Sequence, residues 1–156
     1  MFREMRRHNQ ELSHGECIEI LSSQPRGVLA VWGDDDYPYA VPMDYVYAEG
    51  KLYFHSAKEG HKIDSIKRHK KASFCVLDEG VKKLDSWWYT FKSVIVFGKI
   101  RILDDIDEKS DKLTHLGNKF FPTPEDTENE IKRLIDKTEV FELDIEHMTG
   151  KVVREK

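Results

Sequence analysis

Between residues 27 and 56 the chain spells three strand-length runs, each cut off by a tight turn cluster. The compact apolar run Gly27-Val-Leu-Ala-Val-Trp32 meets Gly33-Asp-Asp-Asp36, and a Tyr- and Val-rich stretch over 37–47 follows. Glu49-Gly50 then turns into Lys51-Leu-Tyr-Phe-His-Ser56. Short β-prone runs separated by turns of this length form antiparallel hairpins, because parallel neighbours would need crossovers of a dozen residues or more. Pro38 and Pro42 fall inside the second run. Proline cannot donate to a ladder, so they mark backbone that is unpaired, bulged or turned towards something other than a strand.

The rest of the chain fits around such a sheet. Ser13 with Glu16 three residues on, ahead of Cys17, Ile18, Ile20 and Leu21, has the form of a capped amphipathic helix. Residues 60–68 predict a short helix with Ile63 and Ile66 on one face, 72–77 a strand, and 89–103 a long strand with Gly98 as its bend or bulge. Two helices are expected over about 107–119 and 125–137, and the strict alternation of 140–146 makes the last main strand. The expected architecture is mainly β: an antiparallel barrel with peripheral α-helices, in one domain spanning 1–156, with no repeat, low-complexity segment or linker.

Composition excludes several classes of function. With 25 Lys and Arg against 29 Asp and Glu, the net charge is −4, which lacks the cationic surplus that nucleic-acid binding draws on. No run of 18 apolar residues is present and the start carries no signal-like core, so neither membrane nor export is expected and the expected location is cytoplasmic. Cys17 and Cys75 have neither disulfide nor zinc spacing and are expected as buried small hydrophobes. The seven histidines show no ligand pattern, so no metal site is expected.

Chemistry concentrates in His55-Ser-Ala-Lys-Glu-Gly-His-Lys62, where a strand end passes into a helix start. The first turn of a helix leaves N–H groups unpartnered and carries partial positive charge, so an anion is favoured there before any side chain is counted. Ser56 adds a hydroxyl, Lys58, His61 and Lys62 add positive charge, and Gly60 allows close approach to the backbone. A solvated, Lys-rich turn that binds nothing has the same local composition.

Three segments in fixed order, Tyr39-Ala-Val-Pro-Met-Asp-Tyr45, then Leu52-Tyr-Phe-His-Ser-Ala-Lys-Glu-Gly-His-Lys62, then Ser93-Val-Ile-Val-Phe-Gly98, resemble the pyridoxamine 5′-phosphate oxidase-like FMN-binding split-barrel superfamily, and most closely its Nim, or 5-nitroimidazole resistance, branch. The resemblance runs from about Arg6 to Phe141. It implies a six-stranded antiparallel Greek-key split barrel that forms a homodimer, with FMN in clefts between the subunits.

By position, it also implies that the backbone of Val41, Pro42, Met43 and Asp44 meets the isoalloxazine edge. His55 and Ser56 would end the strand under the flavin, His61 and Lys62 would stand where the oxidases carry an Arg-Lys phosphate clamp, and Ser93 would be a further cofactor contact. His55 would act at the substrate pocket as a proton donor or anion holder, or would only pack the cofactor. Trp87-Trp-Tyr-Thr-Phe91 would be an aromatic wall for the ring or dimer core. The tail 147–156 has no tryptophan, unlike that of the true oxidases, which argues against pyridoxamine phosphate as substrate. The implied activity is FMN-dependent transfer of electrons from a reduced nicotinamide to a small acceptor such as a nitro-aromatic. The alternatives are a non-catalytic flavin-binding module, and a haem- or deazaflavin-binding barrel.

Overall fold

A computed structural model describes residues 1–154; Glu155 and Lys156, the end of the tail considered above, lie outside the described residues. Helix α1, His14–Ser23, opens with a capping box in which the Ser13 N–H donates to the Glu16 carboxylate at 2.8 Å and the Glu16 N–H donates to the Ser13 hydroxyl at 3.3 Å. Strands β1, Arg26–Trp32, and β2, Pro38–Asp44, then pair in unbroken register from Arg26 opposite Asp44 to Trp32 opposite Pro38. Neither proline makes a bulge. They are tolerated because β2 is the outermost strand on that side of the sheet.

The second run of the sequence is two strands rather than one. It breaks at Tyr45 and resumes as β3, Val46–Ala48, which pairs with β4, Lys51–Ala57. The break has a tertiary cause: the Tyr45 carbonyl accepts a hydrogen bond at 2.8 Å from Nζ of Lys119, far along the chain, instead of one from a neighbouring strand. Helix α2, His61–Arg68, strand β5, Lys71–Leu77, the two-residue β6, Val81–Lys82, and the long β7, Tyr89–Ile102, follow. Helices α3, Ile106–Phe120, and α4, Pro124–Leu134, form a hairpin, and β8, Thr138–Arg154, closes the chain. Helix α4 stops at Leu134, and 135–137, expected as its last turn, is a separate 3₁₀ turn.

Along the hydrogen-bonded path the strands run β2-β1-β5-β7-β8-β4-β3, all antiparallel. Both ends of this path are halves of the same segment, Pro38 to Ala48, so the sheet curls round and closes through the covalent chain at Tyr45. Counting that segment once, and leaving aside the short β6, gives the six principal strands of a split barrel. The last strand runs eight residues past the expected 146. The register slips where Phe97 faces His147 but Gly98 faces Ile145, which leaves Glu146 as the extra residue of a bulge. Gly98 is required there because a Cβ on it would overlap the Asp144 carbonyl.

Two apolar clusters fill the interior. The larger lies inside the barrel, where the Phe54 ring is 5.0 Å from Phe74 and 5.4 Å from Phe141, all three fully buried. The smaller, Tyr53, Leu103, Leu116 and Val140, lies beneath α3. Strand β4 divides them: Leu52 and Phe54 enter the barrel, while Tyr53 faces the helix side. On the outer face of the sheet Val28, Trp32, Leu77, Ile95 and Phe97 are 38–54% exposed. Cys17 is buried as expected, but Cys75 is only half-buried, because it pairs with Val28 and Ile95 on that same outer face.

Candidate functional site

Strand β4 ends at Ala57, and the chain reaches α2 through Gly60, which has φ = 136° and open space where a Cβ would project. That left-handed geometry suits glycine and leaves the first turn of α2 approachable. Lys62 stands in this turn. It lines one cleft of about 590 Å³ together with Pro42, Met43 and Asp44 from β2 and His55 and Ser56 from β4. The opposite wall comes from Leu134, Lys137 and Thr138, because β8 pairs with β4 so that Thr138 faces Ala57 and Val140 faces His55.

Two cations thus line the cleft, and among the described residues neither Lys62 nor Lys137 has a carboxylate partner. Ammonium groups without a counter-ion among the described residues, beside a helix start, suit a polyanion; the Ser56 hydroxyl donates to the Ala57 carbonyl at 2.8 Å and would have to turn to join them. Asp44 is already engaged, its Oδ1 accepting from Arg26 Nε at 2.9 Å. The His55 ring has no hydrogen-bond partner among the described residues. Burial against the surrounding protein pushes its pKa below the ordinary histidine value; the Asp44 carboxylate opposes the shift and the Lys62 ammonium adds to it. Solvent reaches the ring through the cleft mouth, yet the imidazole is held towards its neutral form, with one N–H donor and one free lone pair.

Three of the expected residues stand elsewhere in the single chain. The His61 side chain, expected to share the phosphate clamp with Lys62, points to the β1–β2 turn instead. Its Nε2 accepts the Asp34 N–H at 3.1 Å, and its ring stacks on Tyr39 at 4.1 Å. Successive helical residues do not face the same way, so a paired His-Lys clamp is not formed by these two side chains. Val41 packs its side chain against the barrel core, leaving only its edge-strand backbone near the cleft. Ser93 sits on β7 between Leu77 and Lys151, on the outer side of the sheet. Trp87 is 71% exposed at the tip of the β6–β7 turn, so it is neither a wall of this cleft nor core within one chain.

Sequence reasoning missed Leu134, Lys137 and Thr138. Only the antiparallel pairing of β8 with β4 brings them to His55, and a local pattern carries no trace of that. Among the described residues no three His, Cys, Asp or Glu side chains gather as metal ligands. No helix among the described residues is long and apolar enough to cross a membrane.

Comparison with known proteins bears on the fold. The fold resembles a Bacteroides thetaiotaomicron protein provisionally described as a 5-nitroimidazole antibiotic resistance protein, at a TM-score of 0.76 and 21% identity over 91% of this chain and 86% of that one. It also resembles an FAD-binding protein of Mesorhizobium loti, at a TM-score of 0.72 and 25% identity over 92% and 97%. A third is an FAD- and haem-binding protein of Mycobacterium smegmatis, at 0.75 and 20% over 94% and 74%. No curated protein matches the sequence. The family model for pyridoxamine 5′-phosphate oxidase matches residues 13–152, which is nearly the whole chain, and the protein therefore belongs to the pyridoxamine 5′-phosphate oxidase family.

Proposed function

We propose that the protein binds FMN as a homodimer in the cytoplasm and passes electrons from a reduced nicotinamide to a small acceptor such as a nitro-aromatic compound. The observation that carries this reading is the cationic end of the cleft, where Lys62 and Lys137, without counter-ions among the described residues, meet Ser56 and the start of α2. Two positive charges and free N–H groups suit a dinegative phosphate ester. Pro42, Met43 and Asp44 supply an edge along which a flat ring system lies, and His55 offers it a neutral N–H. Bound flavin supplies the redox chemistry; the chain contributes binding, orientation and charge.

The homodimer draws its support from the outer face of the sheet. Pro42, Val28, Cys75 and Ile95 form one cross-strand row that runs from the cleft to the exposed apolar residues. A second copy covering that face would close the open side of the cleft, and it would bring Ser93, which lies on the same face, towards a cofactor held between subunits.

Titration of the purified protein with FMN and with FAD, followed by absorbance and by flavin fluorescence, tests the reading and separates the two flavins. Lys62→Ala is expected to weaken FMN binding by about 1–3 kcal/mol, the scale of a charge-assisted hydrogen bond. Protein that stays colourless with excess of either flavin, or that runs as a monomer in light scattering, overturns it. Yellow protein that oxidises neither NADH nor NADPH with any nitro compound offered leaves a flavin-binding module without turnover.

A further inference from the structure

His55 stands between two cavities of opposite character. Asp44, His55, Leu134 and Thr138 line both the cationic cleft and a second chamber of about 290 Å³ beneath the α3–α4 hairpin. The walls of that chamber are apolar, chiefly Leu113, Leu116 and Phe120 of α3 and Ile131 of α4, with Phe121 and Ile135 at the helix ends. It is not a product of poor packing between the helices. They meet as closely as helices can at Gly117, where an added Cβ would overlap the buried Thr127, and the chamber lies directly beside that contact. The chamber is half-open, with Phe120 and Phe121, 39% and 41% exposed, at its margin, and it holds its shape because the two helices are locked together beside it.

The polar groups of the chamber restrict what can enter. Among the described residues no lysine or arginine lines it, whereas two carboxylates, Asp44 and Glu130, do, which disfavours an anion. Most of its hydrogen-bonding capacity is already spent: Asp44 on Arg26, Glu130 on Arg133 at 2.6 and 3.1 Å, and the Thr138 hydroxyl on the Leu134 carbonyl at 2.8 Å. His55 is the one lining side chain with hydrogen-bonding capacity and no partner among the described residues. A neutral imidazole there can donate to, or accept from, a single group on a bound molecule. The volume is roughly twice that of an engineered apolar cavity of about 150 Å³ that takes up benzene, which points to two fused six-membered rings.

We propose that this chamber binds a neutral aromatic molecule of about two fused rings, with one hydroxyl, carbonyl or ring-nitrogen group hydrogen-bonded to His55. The proposal deepens the flavin reading by naming the class of its small-molecule partner; it rests on that reading for the reaction, but not for the binding itself. The two sides of His55 then sort ligands by charge: the phosphate-bearing one to Lys62 and Lys137, the uncharged one to the chamber.

Calorimetric titration of the full chain with 2-naphthol and with 2-naphthoate, near pH 7.5, tests this. The expected result is 2-naphthol binding at least about tenfold tighter than the anion. Ile131→Trp, which fills the chamber from its half-buried wall, should weaken 2-naphthol by about tenfold or more while leaving the flavin titration unchanged. Leu113→Trp fills the same space from α3 and replaces it should Ile131→Trp fail to fold. His55→Phe keeps the ring bulk and should reduce the preference for 2-naphthol over 2-methylnaphthalene. Naphthoate binding as tightly as naphthol, naphthol binding unaltered in the filled variants, or no binding up to about 1 mM would each overturn the assignment. In the unaltered protein, absence of naphthol binding with flavin binding intact condemns the chamber alone; failure of the flavin titration with naphthol binding intact condemns only the cofactor reading.

Discussion

Strand β4 serves two interiors held together in different ways. On one side Phe54 and Leu52 enter a dry core of interlocked rings and aliphatic side chains. On the other, Tyr53 clusters with three other buried apolar residues, Leu103, Leu116 and Val140, and charge borders them. Glu142, 3% exposed, accepts from Arg101 Nε and Lys51 Nζ, each at 3.1 Å, and Lys109, 7% exposed, lies 3.9 Å from Glu139. The barrel side is stabilised by apolar area, at roughly 25 cal/mol per Å². The helix side relies on ion pairs whose attraction is largely offset by the cost of removing them from water. The difference separates labour: the interior that holds the fold is filled, and the one that can remain partly empty is where the chamber lies.

Truncation of the barrel core should give the largest effect. Phe54→Ala is expected to cost about 3–5 kcal/mol in urea unfolding, through lost burial and the cavity left between Phe74 and Phe141. A loss as small as that of a surface substitution would erase the contrast between the two sides.

On the helix side, Glu142→Gln should cost about 1.5–3 kcal/mol, since it removes the charge that both Lys51 and Arg101 engage. Its pH dependence has a definite sign. Burial raises the Glu142 pKa, but the hydrogen bonds from Arg101 and Lys51 outweigh it and hold the carboxyl below the ordinary value. The unfolded chain therefore takes up that proton first as the solution is acidified. Stability from this group is complete above the usual carboxylate range and declines as pH falls through and below it. Glu142→Gln should flatten that limb of the stability–pH curve.

Lys119 ties the two interiors together, its Nζ donating to the Gln24 carbonyl at 2.6 Å and the Tyr45 carbonyl at 2.8 Å while lying 4.0 Å over the Tyr45 ring. Burial pushes this ammonium down to about 8. Lys119→Met should cost about 1–3 kcal/mol in thermal or chemical unfolding, because two carbonyls lose their donor. The smallest effect is expected at Tyr45 itself. Its hydroxyl is buried without a hydrogen-bond partner among the described residues, so Tyr45→Phe should leave the melting temperature unchanged or raise it. A clear loss would mean that the hydroxyl is satisfied in solution.

The barrel was legible in the sequence because alternation and turn chemistry are local. Residues 27–32, 51–56 and 72–77 declare strands whatever surrounds them, and they form β1, β4 and β5. The break at Tyr45 was not legible, since it depends on a lysine in α3. Nor was the full length of β8, because the bulge at Glu146 shifts the alternation out of phase just where the expected strand was ended.

The site divides along the same line. His55, Ser56 and Lys62 lie within eight residues of one another at a strand–helix junction and could be picked out together. Lys137 and Thr138 reach them only through pairing across some eighty positions. His61 stands apart from them in the single chain because a residue's charge says nothing of its direction: one step along α2 turns its ring under the β1–β2 turn.

Because the first and last ladders of the sheet belong to a single stretch of backbone, the belt they form is buckled by a peptide linkage. Hydrogen bonds can unzip one at a time, but that seam cannot fray from a free end. A backbone cut beside Tyr45 would unclasp the belt into an open ribbon and separate Asp44, at one margin of the cleft, from the ladder that carries His55.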